Sequence, residues 1–179
     1  MHTESTSPIN PLELAAQVRR LADLQELRAI IDCYGAGHDL IFRDLGGDHR
    51  EALDVLRRAH RDDLITNVFL FDEATPAQRL TSLTAFVDFV DGFARQNGYA
   101  SARNVPGNVQ ITFTGRDAAR ITSSTAAPHF GTRPAIDLVL ARYVDTAQRD
   151  GDGRWRTVAR DLIVQQIWRG EGAYPFAAP

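Results

Sequence analysis

The sequence is poor in the residues that build disulfides and metal centres. Its 179 residues include one cysteine, Cys33, so an intramolecular disulfide is excluded and a cysteine-based zinc site lacks ligands. The five histidines are dispersed, and none stands at metal-ligand spacing from another ligand on a convincing element. We therefore expect no bound metal and a Cys33 side chain that fills space in the core.

Sequence features of cofactor-binding, nucleic-acid-binding and membrane proteins are absent too. There is no glycine-rich phosphate loop and no G-x-S-x-G elbow, which argues against nucleotide cofactors and serine hydrolysis. The net charge of −3 comes from 20 basic and 23 acidic residues scattered along the chain, so no basic patch favours nucleic acid. The apolar runs are too short for a membrane span, and the N-terminus does not resemble a signal peptide. We expect a cofactor-free cytoplasmic protein without nucleic-acid or membrane partners.

The first half of the chain carries helix signals. Residues 1–10 are rich in Ser, Thr and Pro and are expected to be flexible, and Asn10-Pro11 then offers an N-cap and a first helical position. Apolar and aromatic residues recur beyond it at helical spacing, namely Leu24, Leu27, Ile31, Tyr34, His38 and Ile41. Asp48 can cap a second helix, and Pro76 begins a predicted third helix that ends near Asn97-Gly98.

The second half changes to long alternating segments joined by turn-forming residues. The predicted strands are 64–71, Tyr99–Thr114, Asp117–His129, Ile136–Gln148 and Arg154–Trp168. Helices followed by an antiparallel meander predict an α+β fold. Long strands twist, so helices packed on one face leave a concavity that can hold a small molecule. We treat 11–169 as one domain and 170–179 as a C-terminal tail.

Several segments together resemble a known family. They are Leu24 to Tyr34 followed by His38-Asp39; Gly107 to Ile111 with Gly115 to Ala118; Arg142 to Asp145; and Asp152 to Arg156 with Arg160. In order and spacing they are similar to the SnoaL-like branch of the NTF2-like superfamily, which includes polyketide cyclases and scytalone dehydratase-like lyases. The resemblance covers about Leu21 to Trp168. It implies a cone in which N-terminal helices pack on a strongly curved, mostly antiparallel sheet that encloses a pocket.

The resemblance also implies candidate catalytic residues. Studied members use an aspartate and a histidine in the pocket, and the aspartate matches Asp39. The usual position of the histidine is occupied by Asn104, which cannot act as a general base. Ala127-Pro128-His129 resembles the context of a second histidine in the dehydratase-like members, so His129 is the best remaining acid/base candidate. His38 stands where those lyases tend to have a tyrosine.

Local patterns add further candidates for the pocket. Tyr34 and His38 are one turn apart and share a helix face, so they are either core residues or catalytic ones. On its strand, His129 has the same parity as Ser123 and Thr125. Asn104, Tyr143 and Arg160 are the predicted substrate contacts. The alternative for Asn104 is a turn residue ahead of Pro106-Gly107, and for Tyr143 and Arg160 it is a packing or ion-pair position, although an arginine inside such a cavity would select an anion.

Two functions remain open from the sequence. The first is a cofactor-independent lyase or isomerase of the dehydratase or cyclase type that abstracts a proton from a small hydrophobic cyclic substrate. His129 or His38 would be the base, Asp39 its partner, and Tyr34 or Asn104 would polarise a carbonyl. The alternative is a non-catalytic ligand-binding or accessory protein that has lost the usual histidine. The resemblance implies a homodimer or homotrimer, and Tyr174 and Phe176 in the tail are expected either to fray or to close the pocket.

Overall fold

A computed structural model describes residues 10–71, 73–131 and 136–170 of the chain. The helices in these ranges are α1 (Pro11–Ile41), α2 (Arg50–Leu56) and α3 (Leu83–Gln96). The strands are β1 (His60–Leu70), β2 (Gln78–Leu80), β3 (Tyr99–Ala102), β4 (Val105–Phe113), β5 (Ala118–Gly131), β6 (Ile136–Arg149) and β7 (Trp155–Trp168). The helices pack on a strongly curved sheet, which confirms the predicted α+β architecture.

The starts of α1 and α3 follow local capping, with a correction for α3. The N-cap of α2 is His49, which makes no side-chain cap bond, and the predicted cap Asp48 accepts the N–H of Arg50 from one residue earlier. The side chain of Asn10 accepts a hydrogen bond from the backbone N–H of Leu12, as expected for the cap of α1. The third helix begins at Leu83 and not at Pro76, because Ser82 caps it through a 3.0 Å bond from the N–H of Ala85. The residues assigned to its first turn instead form β2, which pairs with β1. Its end at Asn97-Gly98 agrees with the prediction.

The sheet is more complex than the predicted meander. Its strand order is β2-β1-β7-β6-β5-β3, with β4 also paired to β5, among the residues that the structure describes. The predicted strand Tyr99–Thr114 is divided at Arg103-Asn104 into β3 and β4, and both halves pair with β5. β1 lies beside β7 in a parallel pair, so the sheet is mixed, although its other pairs are antiparallel.

The register of the long strands sets rows of side chains on the inner face of the sheet. One row runs from Ser123 through Tyr143 to Leu162, and the next from Ile121 through Asp145 to Arg160. A large apolar cluster joins α3 and the end of α1 to the row that contains Tyr143 and Leu162. A smaller cluster around Trp155 and the middle of α1 packs on the other side. The polar inner residues therefore lie between two apolar regions.

Some sequence predictions lie outside the described residues. The flexible start at residues 1–9 and the tail residues Tyr174 and Phe176 are among them. Within the described ranges, no helix has both the length and the apolar character needed to cross a membrane.

Candidate functional site

A cavity of about 110 Å³ lies between the inner face of the sheet, the end of α1 and α3. Apolar side chains of β1, α3, β6 and β7 form most of its wall. The polar residues on the wall are Tyr34, His38, Asn104, Thr125, His129 and Tyr143. A wider surface groove of about 580 Å³ near α2 is lined mainly by charged residues and is open to solvent. Of these two, only the smaller cavity combines apolar walls with buried polar groups, which is typical of a small-molecule site.

One end of the cavity carries a hydrogen-bonded polar cluster. The hydroxyl of Tyr34 donates to the hydroxyl oxygen of Tyr143 at 3.1 Å, and Nδ2 of Asn104 donates to the same oxygen at 3.3 Å. Thr125 donates its hydroxyl hydrogen to Oδ1 of Asn104 at 2.9 Å, which fixes the orientation of the amide. The structure thus brings together three of the predicted site residues, Tyr34 from α1, Tyr143 from β6 and Asn104 from the segment between β3 and β4.

This cluster has a hydroxyl hydrogen to spare. Tyr34 and Tyr143 share a single bond, so one of the two phenol hydrogens is not used in it. With Tyr143 accepting from both neighbours, the spare hydrogen belongs to Tyr143. Burial raises the pKa of Tyr143, and it raises the pKa of Tyr34 strongly, so both phenols stay protonated near neutral pH. This end of the cavity can therefore donate a hydrogen bond to a ligand oxygen.

His38 and His129 lie farther along the cavity, with ring centroids 6.4 Å apart. Burial lowers the pKa of His38 to about 3, and its Nδ1 has no partner among the described residues. In His129, Nδ1 lies 2.8 Å from the carbonyl oxygen of Ala127. Because a carbonyl can only accept, Nδ1 carries the hydrogen and the lone pair of the neutral ring is on Nε2.

The pKa of His129 is also lowered by burial, but two groups oppose this effect. The carbonyl of Ala127 and the carboxylate of Asp137 both favour the protonated ring. His38 has no such compensation, since its neighbours His129 and Arg160 lower its pKa further. His129 is thus the stronger base of the two.

Asp39 lies near the end of α1 but does not reach the cavity wall. Its Oδ2 pairs with Nη1 of Arg103 at 3.0 Å, and its Oδ1 accepts the backbone N–H of Asn104 at 2.9 Å. Both carboxylate oxygens therefore hold the break between β3 and β4 from which the Asn104 side chain enters the cavity. The expected contact of Asp39 with a histidine does not occur among the described residues.

Arg160 lies behind the cavity wall instead of on it. Its guanidinium makes two bonds to Asp145, at 2.7 and 2.8 Å, and lies 3.9 Å from the ring centroid of Tyr34. Burial would lower the pKa of Arg160, but Asp145 outweighs burial and the net shift is upward. The predicted anion-selecting arginine is thus already neutralised by a partner, and it contacts the back of the tyrosine rings.

Three residues near the site were not among the predicted ones. Thr125 orients Asn104, Asp145 neutralises Arg160, and Asp137 lies beside His129 on the neighbouring strand. The signal for the two aspartates was present in β6, where Asp137, Tyr143 and Asp145 have the same parity. No group of three or more His, Cys, Asp or Glu side chains in the described ranges is placed to hold a metal ion.

Comparisons with known proteins agree with this architecture. A family model described as the SnoaL-like domain matches residues 19–161. No curated protein sequence matches the chain.

Solved structures with the same fold were found in several bacteria. The hexachlorocyclohexane dehydrochlorinase LinA-type3 of Novosphingobium barchaimii LL02 is 16% identical, with 91% of this chain and 97% of that chain covered and a TM-score of 0.64. An NTF2-like protein with a cystatin-like fold from Novosphingobium aromaticivorans is 18% identical, with coverages of 88% and 92% and a TM-score of 0.63. The Kfla4162 protein of Kribbella flavida is 22% identical, with coverages of 83% and 94% and a TM-score of 0.63. At these identities the likeness establishes the fold alone.

Proposed function

This chain belongs to the SnoaL-like domain family, and we propose that it is a cofactor-independent lyase or isomerase that removes a proton from carbon in a small, neutral, ring-sized molecule. His129 is the base in this proposal. The observation that carries it is the bond from Nδ1 of His129 to Ala127, which leaves Nε2 as the basic atom in a cavity that also holds a spare phenol donor.

The choice of His129 over His38 follows from the strength of the two bases. A base works best when the pKa of its conjugate acid is close to the working pH. The pKa of about 3 makes His38 a weak base, whereas Ala127 and Asp137 keep His129 closer to its ordinary range. His38 then serves as a neutral wall residue between Tyr34 and His129, with ring centroids at 6.0 and 6.4 Å from theirs.

The tyrosine end of the cavity supplies the electrophilic side of the reaction. When His129 takes a proton, the electron pair of the C–H bond moves toward a ligand oxygen, directly or through a conjugated ring. The spare hydroxyl hydrogen of Tyr143 stabilises the negative charge that develops there, with Tyr34 and Asn104 holding Tyr143 in place. A lyase then expels a leaving group from the neighbouring carbon, and an isomerase returns the proton at another carbon.

The dimensions and charge of the cavity restrict the ligand. A volume of about 110 Å³ is slightly below the ~150 Å³ of an apolar cavity that holds benzene, so one ring is the upper limit without side-chain movement. Thr125, which bonds Asn104 in the tyrosine cluster, and His129 are four residues apart on β5, about 13 Å in an extended strand, so the cluster and the base lie at different places along the cavity. Because Arg160 is neutralised by Asp145, the site favours a neutral ligand over an anion. The hexachlorocyclohexane dehydrochlorinase, whose name describes loss of hydrogen chloride from a six-membered ring, has the same fold.

Asp39 has a positioning role in this proposal. It holds the backbone of Asn104 and the side chain of Arg103, and so directs the Asn104 amide to Tyr143. This positioning role stands in place of the role that the family resemblance implies for Asp39, which is that of partner to a histidine. Association into a homodimer or homotrimer and a cytoplasmic location also belong to the proposal, and light scattering after size-exclusion chromatography measures the first.

The second candidate function is ligand binding without catalysis. It is favoured by Asn104, which stands at the usual histidine position, and by the engagement of Asp39 with Arg103. In this case the tyrosine cluster binds the oxygen of a small molecule and His129 only fills the wall.

Hydrogen exchange separates the two functions without knowledge of the natural substrate. The protein is incubated in D₂O with single-ring ketones and enones such as cyclohexanone and 2-cyclohexen-1-one, and deuterium incorporation is followed by NMR. Ligand line broadening in the same samples reports binding. Accelerated exchange with at least one compound supports the enzyme. Binding without acceleration for any bound compound contradicts it and favours the binding protein.

A further inference from the structure

His129 lies against a tyrosine and an aspartate that the family resemblance does not single out. His129 and Asp137 are directly paired across β5 and β6, and both side chains are on the inner face, 3% and 1% exposed. The ring of Tyr99, from β3, lies 4.8 Å from the His129 ring. The hydroxyl of Tyr99 donates to Oδ2 of Asp137 at 2.7 Å. Three neighbouring strands thus contribute one residue each to this group.

The other neighbours of His129 are neutral or more distant. From α1 it faces the uncharged ring of His38, and from α3 the ring of Phe93. Arg169, just after β7, lies 3.7 Å from Oδ2 of Asp137 and is 60% exposed, and the N–H of Gly170 bonds to Oδ1. Asp137 is therefore the buried carboxylate nearest to His129 along the sheet, whereas Asp39 is bonded to the Arg103-Asn104 segment.

We propose that Asp137 and Tyr99 form the positioning pair of His129, in place of Asp39. Tyr99 packs on the imidazole face and fixes the carboxylate, and Asp137 stabilises the imidazolium that forms when Nε2 accepts a proton. This role rests on the proposed function in one respect, that His129 is the base. Asp137 acts through His129 and does not touch the ligand in this arrangement.

The energetic reason is the low polarity around the ring. A buried imidazolium without a counter-charge is strongly disfavoured, as His38 illustrates with its pKa of about 3. The Cβ atoms of directly opposed residues on neighbouring strands are typically about 4.5–5.5 Å apart. A carboxylate at this distance compensates part of the cost of charging the ring. His129 thus has an acidic neighbour on the adjacent strand in addition to its bond to Ala127, whereas the pKa of His38 is lowered further by His129 and Arg160.

NMR titration of the histidine ring protons tests the pairing directly. The signals are assigned with His129→Gln and His38→Gln. In the wild-type protein we expect the pKa of His129 to exceed that of His38. In Asp137→Asn we expect the pKa of His129 to fall by about half a unit or more, because the counter-charge is lost. In Asp39→Asn we expect no shift of His129, and exposed Asp88→Asn is the matched control.

Two results would overturn the proposal. One is a folded Asp137→Asn protein in which His129 titrates as in the wild type. The other is a pKa of His129 in the wild-type protein that is equal to or lower than the pKa of His38. This second result needs no variant, so it can be obtained even if Asp137→Asn does not fold. Tyr99→Phe keeps the carboxylate and should shift His129 less than Asp137→Asn does; a larger shift contradicts the assignment of the charge to Asp137.

The exchange assay keeps this proposal distinct from the proposed function. If His129 is the base, Asp137→Asn lowers the exchange rate and moves the acidic limb of the pH–rate profile to lower pH, while Asp88→Asn changes neither. If Asp137→Asn shifts the pKa of His129 but the wild-type protein shows no exchange activity, the pairing is supported and the enzyme is contradicted. If the wild-type protein is active in exchange but Asp137→Asn leaves the pKa of His129 unchanged, the enzyme is supported and the pairing is contradicted.

Discussion

The ion pair of Arg160 and Asp145 is buried behind the tyrosine cluster, with side chains 1% and 0% exposed. Arg160 also lies against the rings of Tyr34 and Tyr143, at 3.9 and 4.8 Å from their centroids. A buried pair gains little over apolar residues of the same volume, but loss of one partner leaves a charge without compensation. The pair therefore fixes the position of the tyrosines more than it adds to stability.

Breaking this pair on one side should be costly. We expect Asp145→Asn to lower the free energy of unfolding by about 3–5 kcal/mol, because Arg160 stays charged in the interior. Replacing both residues, Asp145→Leu with Arg160→Met, should recover most of that loss. Urea denaturation of the single and double variants measures both values. Asp54→Asn, which breaks an exposed pair with Arg57, is the control, and an equal loss there would contradict the account.

For single residues, the sequence predicts which side chains face inward better than it predicts the hydrogen-bond and ion-pair partners of those side chains. Tyr34 and His38 follow from the helical stripe, and His129 follows from strand parity with Thr125. The partners of Asp39 could not be predicted, because they depend on the break between β3 and β4. The partner of Arg160 depends on the register of the β6–β7 hairpin, which contains bulges.

The two N-terminal helices approach each other at Gly37. A Cβ atom at this position would lie 2.5 Å from Cγ and Cδ2 of Leu56 on α2, which is fully buried. Gly37 therefore allows α2 to pack closely on the last turns of α1, the part of the helix that presents His38 to the cavity. At Gly92 on α3, by contrast, a Cβ atom would meet no atom of the described residues within 4 Å apart from its chain neighbours and the nearby backbone of its own helix.

The two glycines should respond oppositely to alanine. In Gly92→Ala we expect the free energy of unfolding to rise by up to about 1 kcal/mol, because alanine is the better helix former. In Gly37→Ala we expect a fall of about 1–3 kcal/mol, since the methyl group overpacks the contact with Leu56. Thermal and urea denaturation compare the variants. Stabilisation of Gly37→Ala would show that the helices are not in close contact.

Element types were predicted well, and boundaries less well. α1, the strand near 64–71 and the long strands β5 to β7 follow from periodicity, which long segments carry strongly. Pro76 was a misleading helix start because Ser82, a better cap, lies six residues on, and the segment between them pairs with β1. The division of β3 from β4 lies where Asp39 bonds Arg103 and Asn104, which is a tertiary contact that no local pattern predicts.

Three buried histidines influence the stability of the whole molecule. Burial lowers the pKa of His38 to about 3, that of His60 well below 6.5, and that of His129 to a lesser extent. Below pH 6.5 the unfolded chain binds protons at these residues, whereas the folded chain does not until lower pH. Protons therefore favour the unfolded state, and stability is lost as the pH falls.

Acid sensitivity should begin near the ordinary pKa of histidine. Between about pH 6.5 and 5.5 we expect the free energy of unfolding to fall by up to about 1.4 kcal/mol per pH unit for each histidine that stays neutral. His38→Leu should reduce this slope by nearly one proton. Urea denaturation across this range gives the slope, and an identical slope in wild type and His38→Leu would contradict a neutral His38.

The fold as a whole was predictable from the order of helices and strands and from the family resemblance, which the match over residues 19–161 confirms. The insertion of β1 next to β7 was not predictable from local patterns. It is a parallel, long-range pairing between strands about 90 residues apart in the chain, such as Thr66 with Arg160. This pairing closes one side of the cavity with Val68 and Leu70, so the site depends on a contact that no local motif encodes.

The most direct test of the central claim is the rate of deuterium exchange into a bound single-ring ketone or enone, compared between the wild-type protein and His129→Gln near neutral pD. Binding of the compound is verified by NMR for both proteins. We predict at least ~10²-fold slower exchange in His129→Gln, because the basic Nε2 atom is lost while the tyrosine cluster is kept. Equal exchange rates in two proteins that both bind the compound would contradict proton abstraction by His129.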